Sequence, residues 1–160
     1  MRRIYLDTNI LVAYYASDEA DKKGLVERAL AAFESIADVE LCTSTWTVTE
    51  MISVLIKTKK MERGSVAEIA EAFQRRKRLR SLKVCFVEVS PQKNYDFDDF
   101  FCDVGDGVLS YRSHLADVIH SVIAKNNEIT HILTFDENTG FKEIPGLKLL
   151  HPKDITLQEV

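Results

Sequence analysis

Four acidic side chains stand at places where a carboxylate can do chemistry rather than only face water. Asp7 follows the short apolar run Arg3-Ile4-Tyr5-Leu6 directly and opens Asp7-Thr8-Asn9. Asp136 follows His131-Ile132-Leu133-Thr134-Phe135 in the same way. Glu50 reads as a first-turn residue of the helix after a second strand, and Asp117 opens a helix with the stripe Leu115, Val118, Ile119, Val122 and Ile123. Asp117, His120, Ser121 and Ala124 share another face of that helix at i, i+3, i+4 and i+7. Taken singly, each acid is accounted for as a turn, cap or dipole-complementing residue; Thr47-Val48-Thr49-Glu50 matches a capping box. Taken together, four acids aimed at one edge repel one another unless a cation lies between them. An all-oxygen set suits a hard ion, Mg²⁺ or Mn²⁺ rather than Zn²⁺, and such ions serve phosphoryl chemistry by activating water and neutralising phosphate charge.

What must position these acids is an alternation of strands and helices. Strands are expected at Arg2–Leu6, Val39–Thr43, Val84–Val89 (stopped by Ser90-Pro91), His131–Phe135 and Leu147–Leu150, from their short apolar, β-branched character. Helical spacing covers about Asp21–Ala37, Val48–Lys57, Val66–Arg80 and the segment from Leu115. Strands separated by helices imply right-handed crossovers and a mostly parallel sheet covered on both faces, a three-layer α/β/α arrangement. Ligands in such sheets bind beyond the carboxyl ends of the strands, where Asp7 and Asp136 fall.

With 160 residues, few glycines and prolines, no repeat and no break in composition, the sequence is read as one domain spanning 1–160. It excludes collagen-like, low-complexity and disordered classes. No apolar run approaches the ~18 residues of a membrane span, and no signal-peptide core opens the chain. Cys42, Cys85 and Cys102 form no CxxC pair, which favours a reducing cytoplasm.

The net charge of −4 hides a division. Residues 1–90 carry 15 bases and 13 acids, residues 91–160 only 6 bases and 12 acids. Arg75, Arg76, Lys77, Arg78 and Arg80 form the densest basic cluster, read equally as a solvated helix end or as phosphate contacts for RNA. Asn94–Asp106 holds five aspartates among Phe97, Phe100 and Phe101; it does not fit a calcium-binding loop and is expected to be a solvated loop, with a docking surface for a basic partner as the alternative. Trp46, near Glu50, is assigned to packing ahead of base stacking. His114 and His120 are read as hydrogen-bonding residues near the pocket rather than as ligands.

The run Leu6-Asp7-Thr8-Asn9-Ile10-Leu11, the pair Thr49-Glu50, Leu115-Ala116-Asp117-Val118-Ile119 with Ala124 following, and Leu133-Thr134-Phe135-Asp136 resemble the four acidic motifs of PIN-domain nucleases. Size and motif order are similar to those of VapC-type toxin ribonucleases. The resemblance implies a five-stranded parallel sheet and a pocket in which Asp7, Glu50, Asp117 and Asp136 bind Mg²⁺ or Mn²⁺, with Thr8 and Thr134 as supporting hydroxyls. It implies cleavage of single-stranded or structured RNA, a cognate antitoxin and a homodimer. The chain departs from the pattern in the aspartate-rich segment before the third motif and in the longer turn Glu137-Asn138-Thr139-Gly140-Phe141. Three alternatives stay open: a housekeeping RNA-processing nuclease, a catalytically silent RNA- or protein-binding module, and a haloacid-dehalogenase-type phosphatase. The last wants a second Asp two residues after the first, where this chain has Asn9.

Overall fold

A computed structural model describes residues 2–89, 95–111, 114–136, 141 and 144–155. The strands are β1 (Arg2–Leu6), β2 (Val39–Ser44), β3 (Arg78–Leu79), β4 (Leu82–Val87), β5 (His131–Leu133) and β6 (Lys148–Leu150); the helices are α1 (Thr8–Tyr15), α2 (Ala20–Glu34), α3 (Thr45–Lys57), α4 (Arg63–Arg76), α5 (Phe97–Tyr111) and α6 (Leu115–Asn126). The sheet runs β3-β4-β2-β1-β5-β6, and every pairing is parallel except β3 with β4.

The sheet therefore has six strands rather than the five expected. The additional strand lies inside the segment read as the end of a helix. That helix stops at Arg76 because Lys77 takes the left-handed conformation (φ 49°) and returns its N–H to Phe73 O. Lysine at this position gives no glycine signal to mark the stop. Residues Ser90 and Pro91, expected to end the third strand, lie outside the described residues.

Alternation along β1 divides the core between two layers. Ile4 and Leu6 face α1, α2, α3 and α4, in a cluster with Leu11, Leu30, Phe33, Met51, Leu55 and Phe73. Tyr5 faces the opposite way, into a cluster with Phe100, Val104, Val118, Ile123 and Ile132 under α5 and α6. Both faces of a parallel sheet are thereby covered, as its unbroken apolar strands require.

Two helices differ from the sequence expectation. α1 is apolar nearly all round, so it carries no amphipathic period; Ile10, Leu11, Val12 and Ala13 are all buried. α5 occupies most of the acidic stretch expected to be a loop. Asp96 Oδ1 accepts from the N–H groups of Asp98 and Asp99, and Asp99 Oδ2 accepts in return from Asp96 N–H. The aspartates thus cap the helix start and complement its dipole, while Phe100, Val104 and Gly107 face inward. Gly107 is needed for close approach: a Cβ there would lie 2.5 Å from Val118 Cγ1 on α6. Gly107→Ala is expected to force α5 and α6 apart and to cost about 1–3 kcal/mol, read as a lowered denaturation midpoint; Gly105→Ala, where a Cβ meets nothing within 4 Å, is the control.

Candidate active site

The register of the central strands brings the first and last motifs together. Leu6 pairs with Leu133, and Asp7 N–H donates to Leu133 O at 3.1 Å, so Asp7 and Thr134 come level at the strand ends. Asp7 then caps α1, its Oδ1 accepting from Thr8 N–H at 2.7 Å. Its Oδ2 accepts from Thr134 Oγ1 at 2.7 Å. The Thr134 hydroxyl also accepts from Asn9 Nδ2 at 2.9 Å and from Asp136 N–H at 3.1 Å. Asn9 completes this corner by donating to Asp136 Oδ2 and accepting from Phe135 N–H. Thr134 is therefore the hub that ties β5 to the β1–α1 turn.

Glu50 arrives from α3. Ser44 caps that helix, accepting from Thr47 N–H, so the helix starts earlier than expected and Glu50 lies in its second turn, outside any capping box. Its Oε2 accepts from Thr8 Oγ1 at 2.7 Å and lies 2.6 Å from His120 Nε2. Asp117 stands in the first turn of α6, and His120 one turn on is buried. A pocket of about 350 Å³ is lined by Asp7, Thr8, Asn9, Glu50, Asp117, His120 and Asp136, with Glu19, Lys22 and Lys59 at its side. All four expected acids and Thr8 line it, and Thr134 supports it from beneath.

Charge in this pocket is uncomfortable. Burial pushes the Asp7 carboxyl above its ordinary range, against the opposing effects of His120 and Thr134. Asp117 is pushed up to about 6, by burial first and then by the charges of Asp7 and Asp136, against the opposing His114 and His120. Burial acts upward on Glu50 too, but His120 and Thr8 outweigh it and hold it below the usual range. Asp117 Oδ2 is buried without a hydrogen-bond partner among the described residues. A desolvated anionic oxygen left without a donor, beside two further carboxylates, fits a cation-binding position. As the side chains stand, no three His, Cys, Asp or Glu groups among the described residues converge on one point to hold an ion. Glu50 is engaged by Thr8 and His120 instead.

The basic cluster is not part of this pocket. Arg78 pairs with Lys83 at the beginning of β4, and the register carries that level toward Arg2 and Val39, at the starts of the strands. Arg75, Arg76, Lys77, Arg78 and Arg80 thus lie at the opposite end of the sheet from the acids. Arg75 is paired with Glu71 and Arg80 with Glu34. Arg76, Arg78 and Arg80 edge a separate cleft with Tyr14, Tyr15 and Phe73. Trp46 is half-buried and packs against the α5–α6 cluster. His114 takes the N-cap position of α6 without a side-chain cap bond. In the turn after Asp136, residues 137–140 lie outside the described residues, and Phe141 is buried. Asn9 and Tyr5 are the participants that motif reading misses; Asn9 carries a signal in hindsight, as a side-chain amide two residues after a strand-end acid.

Among the described residues no helix is long and apolar enough to cross a membrane. The three cysteines are free. No curated protein sequence matches the chain. Solved structures do resemble it. VapBC-1 of nontypeable Haemophilus influenzae superposes with a TM-score of 0.63 at 13% identity, covering 94% of this chain and 98% of its own. VapC20 of Mycobacterium tuberculosis, a toxin that cleaves the sarcin-ricin loop, gives 0.61 at 15% identity over 91% and 98%. VapBC2 of Rickettsia felis, solved with a DNA fragment from its promoter, gives 0.59 at 18% identity over 93% and 98%. At these identities the likeness is one of fold. The PIN domain family model matches residues 4–147, from within β1 through β5, and takes in all four acidic motifs. By that match, the chain belongs to the PIN domain family.

Proposed function

We propose that this chain is a metal-dependent endoribonuclease acting as the toxin of a toxin–antitoxin pair. The observation that carries the reading is the buried Asp117 Oδ2, unpartnered among the described residues, in a pocket shared with Asp7, Glu50 and Asp136. Hard oxygen donors favour Mg²⁺ or Mn²⁺. The ion would be held by Asp7, Asp117 and Asp136, with Glu50 completing the set, and when bound it supplies Lewis acidity that activates water and offsets charge on the phosphodiester. The chain's own part is positioning. Thr8 N–H and Thr134 Oγ1 fix the two oxygens of Asp7. Asn9 fixes Asp136, and Thr8 Oγ1 steers Glu50. No side-chain nucleophile is required. Asn9 bonds Thr134 and Asp136 and has no acid function, which counts against a phosphatase with a second aspartate there.

Lys22 and Lys59 stand at the side of the pocket, both ion-paired with Glu19 and Lys59 also with Asp18. A phosphate strand entering the acidic site would compete with those carboxylates for them. The homodimer implied by the likeness to VapC-type proteins has an apolar face available. Phe97, Phe101, Leu109 and Leu115 are exposed beside an apolar cleft of about 690 Å³ between α5 and α6. The partner in the pair would be a small antitoxin covering the acidic pocket.

The test is incubation of the purified chain with end-labelled single-stranded RNA. Internal cleavage that needs Mn²⁺ or Mg²⁺ and stops with EDTA is the expected result. Absence of cleavage on single-stranded and hairpin RNAs alike, with either metal, would overturn the catalytic reading.

A further inference from the structure

Beneath the carboxylates runs a buried polar chain that the four acids do not explain. Tyr5 is fully buried, and strand alternation turns it away from Ile4 and Leu6 toward α6. Its hydroxyl is hydrogen-bonded to Ser44 Oγ at 2.7 Å, Thr47 Oγ1 at 2.8 Å and His120 Nδ1 at 3.1 Å. A phenol has one proton and two lone pairs, so these three partners satisfy it completely when Ser44 and Thr47 donate and Tyr5 donates to His120. The other ring nitrogen faces the site: Nε2 lies 2.6 Å from Glu50 Oε2, 3.2 Å from Thr8 Oγ1 and 3.6 Å from Asp7 Oδ1. A carboxylate can only accept, so Nε2 carries a proton and aims it at Glu50, with Asp7 just beyond.

We propose that His120, oriented by Tyr5, is a positioning residue that stands in for a cation between Glu50 and Asp7 while no metal is bound. Arrival of the metal releases Glu50 from it. The inference rests on the metal-site reading above. Its physical basis is that Asp7 is buried and Glu50 half-buried, so two carboxylates share a poorly solvated space in which like charges repel. An N–H donor wedged between them supplies the compensation that a divalent ion supplies later. His120 holds this place because its far nitrogen is anchored: Tyr5 is fixed by β1, and Ser44 and Thr47 by the start of α3.

Thermal melts of the wild type, His120→Ala, His120→Gln and Tyr5→Phe, each in EDTA and in Mn²⁺, test it. His120→Ala is expected to lower the melting temperature in EDTA by roughly 5 °C or more, and Mn²⁺ is expected to return most of the loss. The Mn²⁺-induced rise is thus larger than in the wild type. His120→Gln keeps an N–H donor at the position of Nε2 and should restore wild-type behaviour; Tyr5→Phe should move in the direction of His120→Ala by a smaller amount. Calorimetric titration with Mn²⁺ should find His120→Ala binding at least as tightly as the wild type. An equal loss in EDTA and in Mn²⁺ would mean packing alone and overturns the proposal. So does loss of Mn²⁺ binding in His120→Ala, which would make the histidine a ligand. A wild type that Mn²⁺ does not stabilise sinks the metal reading itself; the holding role then stands or falls on the EDTA melts of the Ala and Gln variants.

Discussion

Asp117→Asn is expected to lower RNA cleavage by about 10³-fold, some 4 kcal/mol of barrier, while making the metal-free protein more stable at neutral pH. The two effects have one origin. The carboxylate is half-buried, one oxygen has no hydrogen-bond partner among the described residues, and the charges of Asp7 and Asp136 face it. Its folded pKa of about 6 lies above the ordinary carboxylate value. The folded state therefore binds this proton more tightly than the unfolded chain does. The favourable contribution is present below the ordinary carboxylate pKa and is lost as pH rises to about 6. Above that, ionised Asp117 is a cost that a metal ion would offset and an amide would not incur. Melts in EDTA between pH 4 and 8 should show stability falling as pH rises to about 6 in the wild type, and a shallower fall in Asp117→Asn. Asp7→Asn should abolish cleavage as well. It too removes a charge that burial disfavours, but the amide nitrogen would face Thr8 N–H or Thr134 Oγ1 and lose one of the two bonds the carboxylate accepts, so its gain in stability should be the smaller. Full activity in either variant, with circular dichroism showing a folded chain, would sink the assignment.

How much of this could be read from the sequence follows the range of the interactions concerned. Asp7 and Asp136 are legible because a strand-end acid is a local pattern, and the parallel register then places both on one edge. Asp117 is legible from the helical stripe beside it. The α5 helix is not: five aspartates read as a solvated loop until Asp96 and Asp99 are seen capping the first turn, with the phenylalanines falling on one side. The turn at Lys77 hides for a related reason, since a lysine in the left-handed conformation leaves no mark of its own. His120 is visible as a residue on the Asp117 face, but its partners Tyr5, Thr8 and Glu50 come from three other elements at separations of 115, 112 and 70 residues. The basic cluster is conspicuous in the sequence, but its place is not: the course of α4 carries it to the strand starts, away from the acids.

Thr134→Val is expected to cost more stability than its one missing hydroxyl suggests. Valine fills nearly the same space, so no cavity forms and the loss is electrostatic. Thr134 Oγ1 donates to Asp7 Oδ2 and accepts from Asn9 Nδ2 and Asp136 N–H. Removing it leaves a carboxylate oxygen of the buried Asp7 and a backbone N–H without their partners, and frees Asn9 to turn from Asp136. A buried group stripped of its partner costs about 1–3 kcal/mol, more when charged. Asp7 is 5% exposed and cannot recover the bond from bulk water. A total of about 3 kcal/mol corresponds to a melting-temperature drop of roughly 6–12 °C for a chain of this size. Thr134→Ser keeps the hydroxyl and should recover most of it. Thr134→Ala removes the hydroxyl and the methyl together, so a loss in Thr134→Val close to that in Thr134→Ala would assign the effect to hydrogen bonding. If Thr134→Val melts with the wild type, the hub is not what holds the first and last motifs together. Because Asp7 and Asp136 are both fixed through this one oxygen, cleavage should fall with stability in Thr134→Val and return with both in Thr134→Ser.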